Sequence, residues 1–205
     1  MAKYPGTFRQ KVRVIPHSLE PSLYTGAKPS PLTSRPAVFR YLGNFYGMRT
    51  PRPLYRAVAE ALRLRPSLSD TLRIEIYGSC ERGMDVSGGV SLPHEFISYR
   101  APVCYRQSLH LMETADALLV IDAPMEKSVF LPSKLVDYLG AGRPIVAFTP
   151  DGASARVLRE LNERVVSPDD VPSAANALLD AHDGLPIDRV PIDARSRYSA
   201  ASTGV

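Results

Sequence analysis

Two short stretches of this sequence carry residue types and spacings suited to holding a phosphate ester. The first is Ser128-Val-Phe-Leu-Pro-Ser-Lys-Leu-Val-Asp-Tyr-Leu-Gly-Ala-Gly-Arg-Pro-Ile-Val-Ala-Phe148. Pro132 and Ser133 are helix start signals, Leu135, Val136 and Leu139 form an apolar stripe, and Gly140 and Gly142 end it. A helix over Ser133–Leu139 is predicted, with its N-terminus open. The unpaired N–H groups and the positive dipole end there attract anions, and Lys134 in the first turn adds a full charge. Asp137 shares the helix face of Ser133, where a carboxylate can accept hydrogen bonds from ribose hydroxyls. Phosphate at the helix start and ribose one turn below predict a nucleotide diphosphate.

The second stretch is Tyr41-Leu-Gly-Asn-Phe-Tyr-Gly-Met-Arg49, between a strand and a helix. Gly43 and Gly47 permit close backbone approach to a ligand, and Arg49 falls at the carboxyl edge of the sheet, a phosphate-binding position. The spacing is neither GxGxxG nor a P-loop, and a plain turn accounts for this stretch taken alone. Convergence of Arg49 and Lys134 on one crevice favours the phosphate reading. Arg100 to Val103 could offer backbone groups to a base edge. Asp122 and Glu126 could reach a sugar or stand in water. The four histidines have no partner at nucleophilic-triad spacing, and His110 reads as structural. Asp169 and Asp170 read as a helix cap rather than a metal pair.

The elements that must position these residues form a regular series. From Ala37, apolar runs alternate with helical periodicity, the pattern of an α/β fold with a Rossmann-like open, mainly parallel sheet of about six strands. Strands are expected at Ala37–Leu42, Leu72–Tyr77, Phe96–Tyr99, Ala117–Ile121, Pro144–Phe148 and Arg164–Val166. Helices, on both faces, are expected at Pro51–Leu64 with Thr50 as cap, Val103–Thr114, Ser133–Leu139, Ala153–Glu160 and Val171–Ala181. The glycine-rich loop from Gly78 to Val90 reads as a surface connector, with a lid as the other reading. Residues 1–36, with a strand at Val12–Ile15 and many prolines, read as a connector, 37–183 as the domain, and 184–205 as a tail opening an incomplete helix at Arg195.

Composition narrows the class. The chain has 205 residues, 44% of them apolar and 22% charged, as expected of a globular protein. A net charge of +4 permits anionic ligands or peripheral contact with an acidic membrane, but its basic residues are scattered, so no nucleic-acid partner is expected. Cys80 and Cys104 form no metal-ligand or disulfide pattern and suit a reducing cytoplasm. No stretch is long and apolar enough to span a membrane.

The run Phe130 to Ala147 resembles the signature near the end of group-1, two-domain (GT-B type) glycosyltransferases. Tyr41 to Gly47, Ile74 to Gly78 and Thr114 to Val120 match the order of that family's donor domain, and Val12 to Pro21 is similar to the hinge leading out of its N-terminal domain. The resemblance implies the C-terminal, donor-binding half of a GT-B fold. It implies a hexosyl-type, retaining transferase that takes a nucleotide diphosphate sugar and needs no metal or other cofactor. It further implies an unknown acceptor held by an N-terminal partner domain or chain. On that pattern Arg49 and Lys134 neutralise the diphosphate and stabilise the departing charge, Asp137 holds the ribose, and backbone groups of Ser133 and Leu135 complete the phosphate cradle. The family's pair of glutamates is not kept: Val129 and Asp137 occupy the two positions. Two other readings stay open, a nucleotide-binding fragment without activity and a flavodoxin-like interaction module.

Overall fold

Every strand expected after Ala37 forms. In the computed structural model, which describes residues 17–93, 95–185 and 196–203, the strands are β1 (Ala37–Leu42), β2 (Leu72–Tyr77), β3 (Ile97–Arg100), β4 (Ala117–Ile121), β5 (Ile145–Phe148) and β6 (Arg164–Val166). All neighbours pair in parallel, in the order β3-β2-β1-β4-β5-β6. The strand expected at 12–15 and the helix start at Arg195 lie outside the described residues.

The α-helices among the described residues are α1 (Arg52–Leu64), α2 (Leu68–Thr71), α3 (Tyr105–Glu113), α4 (Ser133–Ala141), α5 (Ala153–Glu160), α6 (Val171–Asp183) and, in the tail, α7 (Ala200–Thr203). Strand alternation divides the core between them. Phe39, Ile74, Leu119, Ile121, Val146 and Phe148 face α1 and α6, while Leu118, Val120, Ile145 and Ala147 face α3, α4 and α5. All five residues of β4 are buried, which explains a continuous apolar run where a half-exposed strand would alternate. Each buried Leu, Val or Ile side chain there contributes about 1.5–3 kcal/mol.

Two helix ends differ in how they are satisfied. Gly142 closes α4 with φ 63°, its N–H donating to the carbonyls of Tyr138 and Leu139, a left-handed conformation that costs glycine little. The expected Thr50 cap on α1 is not made: Pro51 stands at the cap and no side chain bonds the first turn. A proline that fixes φ can start a helix without that bond. At α6 the expected cap is present, Asp170 accepting the Ser173 N–H at 3.1 Å.

The strand order reverses between β1 and β4, because the chain runs outward to β2 and β3, then returns to lay β4 on the other side of β1. The loops leaving these two strands part and leave a crevice at their carboxyl ends. α4 is fixed over it by Tyr138, a fully buried ring whose hydroxyl accepts the Leu42 N–H at 2.8 Å. Residues 17–36 lie against the domain, with the Leu19 N–H donating to Tyr198 and the Ala200 N–H to Leu19. The Arg35 guanidinium pairs with both oxygens of buried Asp116, which also accepts the Val38 N–H at 2.7 Å.

Tyr138→Phe would keep the ring and leave the Leu42 N–H unpaired at the end of β1. Urea denaturation is expected to show a loss of about 1–3 kcal/mol; an unchanged midpoint would mean that this bond does not anchor α4.

Candidate functional site

The crevice between β1 and β4 gathers Gly43 and Arg49 from the loop after β1, Asp122 from the end of β4, and Lys134 and Asp137 from α4. These residues line two clefts. One, of about 270 Å³, is lined by Gly43, Tyr77, Gly78, Val103, Lys134 and Asp137 among others. The other, of about 300 Å³, is lined by Tyr46, Gly47, Arg49, Asp122, Ser128 and Phe130 among others.

The loop after β1 is braced by the glycine-rich loop after β2. The Gly43 N–H donates to the Tyr77 carbonyl, Phe45 to Ser79, and Glu81 to Phe45, extending the strand pairing past the sheet edge. Asn44 Oδ1 accepts the Ser79 N–H at 3.0 Å. A Cβ on Gly78, at φ 150°, would overlap the Gly43 carbonyl, so only glycine permits this approach. The first residues of this connector therefore brace the loop after β1. The connector's Glu81 carboxylate also accepts the Gly47 N–H at 2.8 Å.

Lys134 is turned inward. Its stem is partly exposed, yet its Nζ is buried and has no hydrogen-bond partner among the described residues. The ammonium lies 3.9 Å from the centroid of the Tyr41 ring. A desolvated cation–π contact gives about 2 kcal/mol or more against a burial cost of several, so the ring offsets only part of the burial, in keeping with the lowered Lys134 pKa. Burial and the neighbouring Arg49 guanidinium lower the Lys134 ammonium to about 7, against the opposing pull of Asp122.

Arg49 Nη2 meets Asp122 Oδ1 at a stretched 3.4 Å, and its Nε is buried without a partner among the described residues. The guanidinium also lies 5.3 Å from the Tyr46 ring centroid. Asp122 is buried, and its other oxygen accepts the Thr149 hydroxyl at 2.8 Å. Of the two places expected for it, the one in water is corrected: the strand end buries it as the counter-ion of Arg49. Arg49 pairs with this carboxylate, while Lys134 lies within its electrostatic reach without a hydrogen bond to it.

Asp137 stands in the same cleft as Lys134, and Tyr105 Oη donates to its Oδ1 at 3.0 Å. Burial raises the Asp137 carboxyl above its usual range, opposed by the hydrogen bonds from Tyr105 and Tyr24 and by His17. Ser133 opens α4, whose start has no side-chain cap. Leu135 fits its expected place less well, because its N–H already donates to the Pro132 carbonyl at 3.0 Å. Val103 and Pro102 line the cleft near Lys134, as expected of the loop after β3. His110 is exposed on α3, not structural. Val129 is 81% exposed and makes no floor for the site.

Tyr41, Asp122, Thr149 and Tyr105 were not legible as one assembly. The position of Asp122 at a strand end was the one sequence signal among them. Among the described residues, no group of three or more His, Cys, Asp or Glu could hold a metal ion, and no helix is long and apolar enough to cross a membrane.

No family model matches the chain, and no curated protein is similar to it in sequence. Solved structures share its fold. A glycosyltransferase from Rickettsia africae ESF-5 aligns with a TM-score of 0.70 at 13% identity, over 95% of this chain and 55% of that one. A lipopolysaccharide outer core galactosyltransferase in its apo form gives 0.67 at 15% identity, over 95% and 53%. A UDP-forming α,α-trehalose-phosphate synthase from Burkholderia xenovorans, in complex with glucose-6-phosphate, gives 0.57 at 16% identity, over 82% and 39%. The chain spans about half the length of these proteins or less. Its architecture is that of one half of a GT-B glycosyltransferase.

The Lys134 ammonium loses its charge as pH rises through about 7, whereas a bound anion would hold the proton in place. The affinity advantage of the native chain over Lys134→Met for inorganic pyrophosphate is therefore expected to be greatest at pH 6. Above pH 7 it should shrink, by up to about tenfold per pH unit. Calorimetric titration at pH 6 and 8.5 measures this, and an equal advantage at both would contradict titration of this group.

Proposed function

We propose that this chain is the nucleotide-sugar-binding half of a glycosyltransferase, with the acceptor held by a domain or chain outside these residues. The observation that carries this reading is the buried Lys134 ammonium, without an acceptor among the described residues and beside Arg49 at the strand-order reversal. An anion supplies what that arrangement lacks. A diphosphate would accept from both cations and from the start of α4, and the ribose would turn toward Asp137 one helical turn below. The base would then face the loop of Pro102 and Val103, which lines the same cleft.

In the reaction, an acceptor hydroxyl bonds the anomeric carbon and gives up its proton as the bond from that carbon to the diphosphate breaks, and negative charge collects on the departing nucleoside diphosphate, which can take that proton. Arg49 and Lys134 stabilise that charge more than they stabilise the bound donor, because it grows in the transition state. The chemistry needs no nucleophile from this chain and no metal, and a hexosyl donor with retention of configuration follows the resemblance. Because the Burkholderia xenovorans synthase is a UDP-forming enzyme, UDP is the first nucleotide to test.

A second reading is binding of the nucleotide without transfer. A transfer assay with and without a partner domain separates the two.

Titration of the chain with UDP, GDP and ADP is expected to give saturable binding of at least one of them. Lys134→Ala and Arg49→Ala should each weaken it by about tenfold or more, which is about 1.4 kcal/mol. Binding that ignores both substitutions would remove the site; no binding of any diphosphate would favour an interaction module.

A further inference from the structure

The segment before β1 reaches the helix that carries the site. Tyr24 lies with its ring on Gly140 of α4, so close that a Cβ on Gly140 would overlap the phenol. A glycine inside a helix costs about 1 kcal/mol relative to alanine, and here it makes room for that ring. The Tyr24 hydroxyl donates to the Asp137 carbonyl at 3.2 Å, which places it near enough to the Asp137 carboxyl to favour its ionised form.

The strap carrying Tyr24 is itself held. Glu113, buried at the end of α3, accepts the Thr25 N–H, the Thr25 hydroxyl at 2.9 Å and the Gly26 N–H at 2.6 Å. These charge-assisted bonds fix the two residues after Tyr24. From the same α3, Tyr105 reaches Asp137 Oδ1. Asp137 is therefore held by two phenols from elements remote in sequence, Tyr105 at its carboxylate and Tyr24 at its carbonyl, rather than swinging on an exposed helix face.

We propose that Tyr24 is a positioning residue for ribose recognition, orienting Asp137 through its hydroxyl from the strap that precedes the sheet. This rests on the nucleotide-sugar reading, because Asp137 has a ribose to meet only if a nucleotide binds. A carboxylate accepts two ribose hydroxyls well only when its plane is fixed; a free rotor loses that arrangement for most of its time. Tyr24 touches no phosphate ligand in this arrangement. Its loss should thus separate ribose-bearing from ribose-free anions, which a general loss of stability would not do.

Tyr24→Phe keeps the ring on Gly140 and removes the hydroxyl. Calorimetry on the whole chain, with UDP and inorganic pyrophosphate as probes, is expected to show UDP weakened about fivefold or more and pyrophosphate within about twofold of native. In an Asp137→Ala background the same change should cost UDP nothing further. Equal weakening of both probes, or unchanged UDP affinity in the variant, would overturn the positioning role. Failure of the native chain to bind any nucleoside diphosphate would instead overturn the functional reading. In that event, carboxyl NMR still tests the contact: the Asp137 titration should move upward in Tyr24→Phe, because the hydroxyl bond favours the carboxylate. An unmoved titration would overturn the proposal.

Discussion

The site depends on one unfavourable arrangement, the burial of the Lys134 ammonium against the face of Tyr41. The ring attracts the cation, but less strongly than water would, and the neighbouring Arg49 opposes it. A lysine on the first turn of a helix would ordinarily extend its charge to solvent. Here β1 supplies the ring, the start of α4 aims the stem inward, and the loop after β1 closes over the end. The fold holds this cation where its burial favours loss of the proton.

That arrangement needs three positions to be fixed together. The parallel sheet sets β1 beside β4, so Tyr41 and Asp122 end at the same crevice. Tyr138 locks α4 to the end of β1 through the Leu42 N–H. The loop after β2 holds Gly43 and Phe45 in an extended ladder, which stops the loop after β1 from sagging into the space an anion would fill. None of these contacts carries chemistry. Each restricts a backbone that would otherwise let Lys134 escape to water.

Much of the frame could be read directly. Apolar runs of strand length gave β1, β2 and β4 their limits, and Gly142 marked the end of α4, because these depend on neighbours within a few residues. Thr50 failed as a cap for a local reason as well, since Pro51 already starts that helix without a side-chain bond. The two cationic residues were legible from their places after β1 and at the start of α4. The partners of those residues were not: Asp122 is 73 positions from Arg49, and Tyr24 is 113 from Asp137. Spacing within a motif carries no information about such pairs.

The sequence by itself determined the order of elements, the helix start bearing Lys134 and Asp137, and the glycine loop that ends at Arg49. These are local properties of dihedral preference and hydrophobic period. Only the tertiary structure decided that Lys134 points inward, that Asp122 serves Arg49 rather than solvent, and that the opening strap touches α4. The physical reason is that charge behaviour depends on what surrounds a group in space. Desolvation and the nearest opposite charge are set by elements that meet only when the sheet has closed its order.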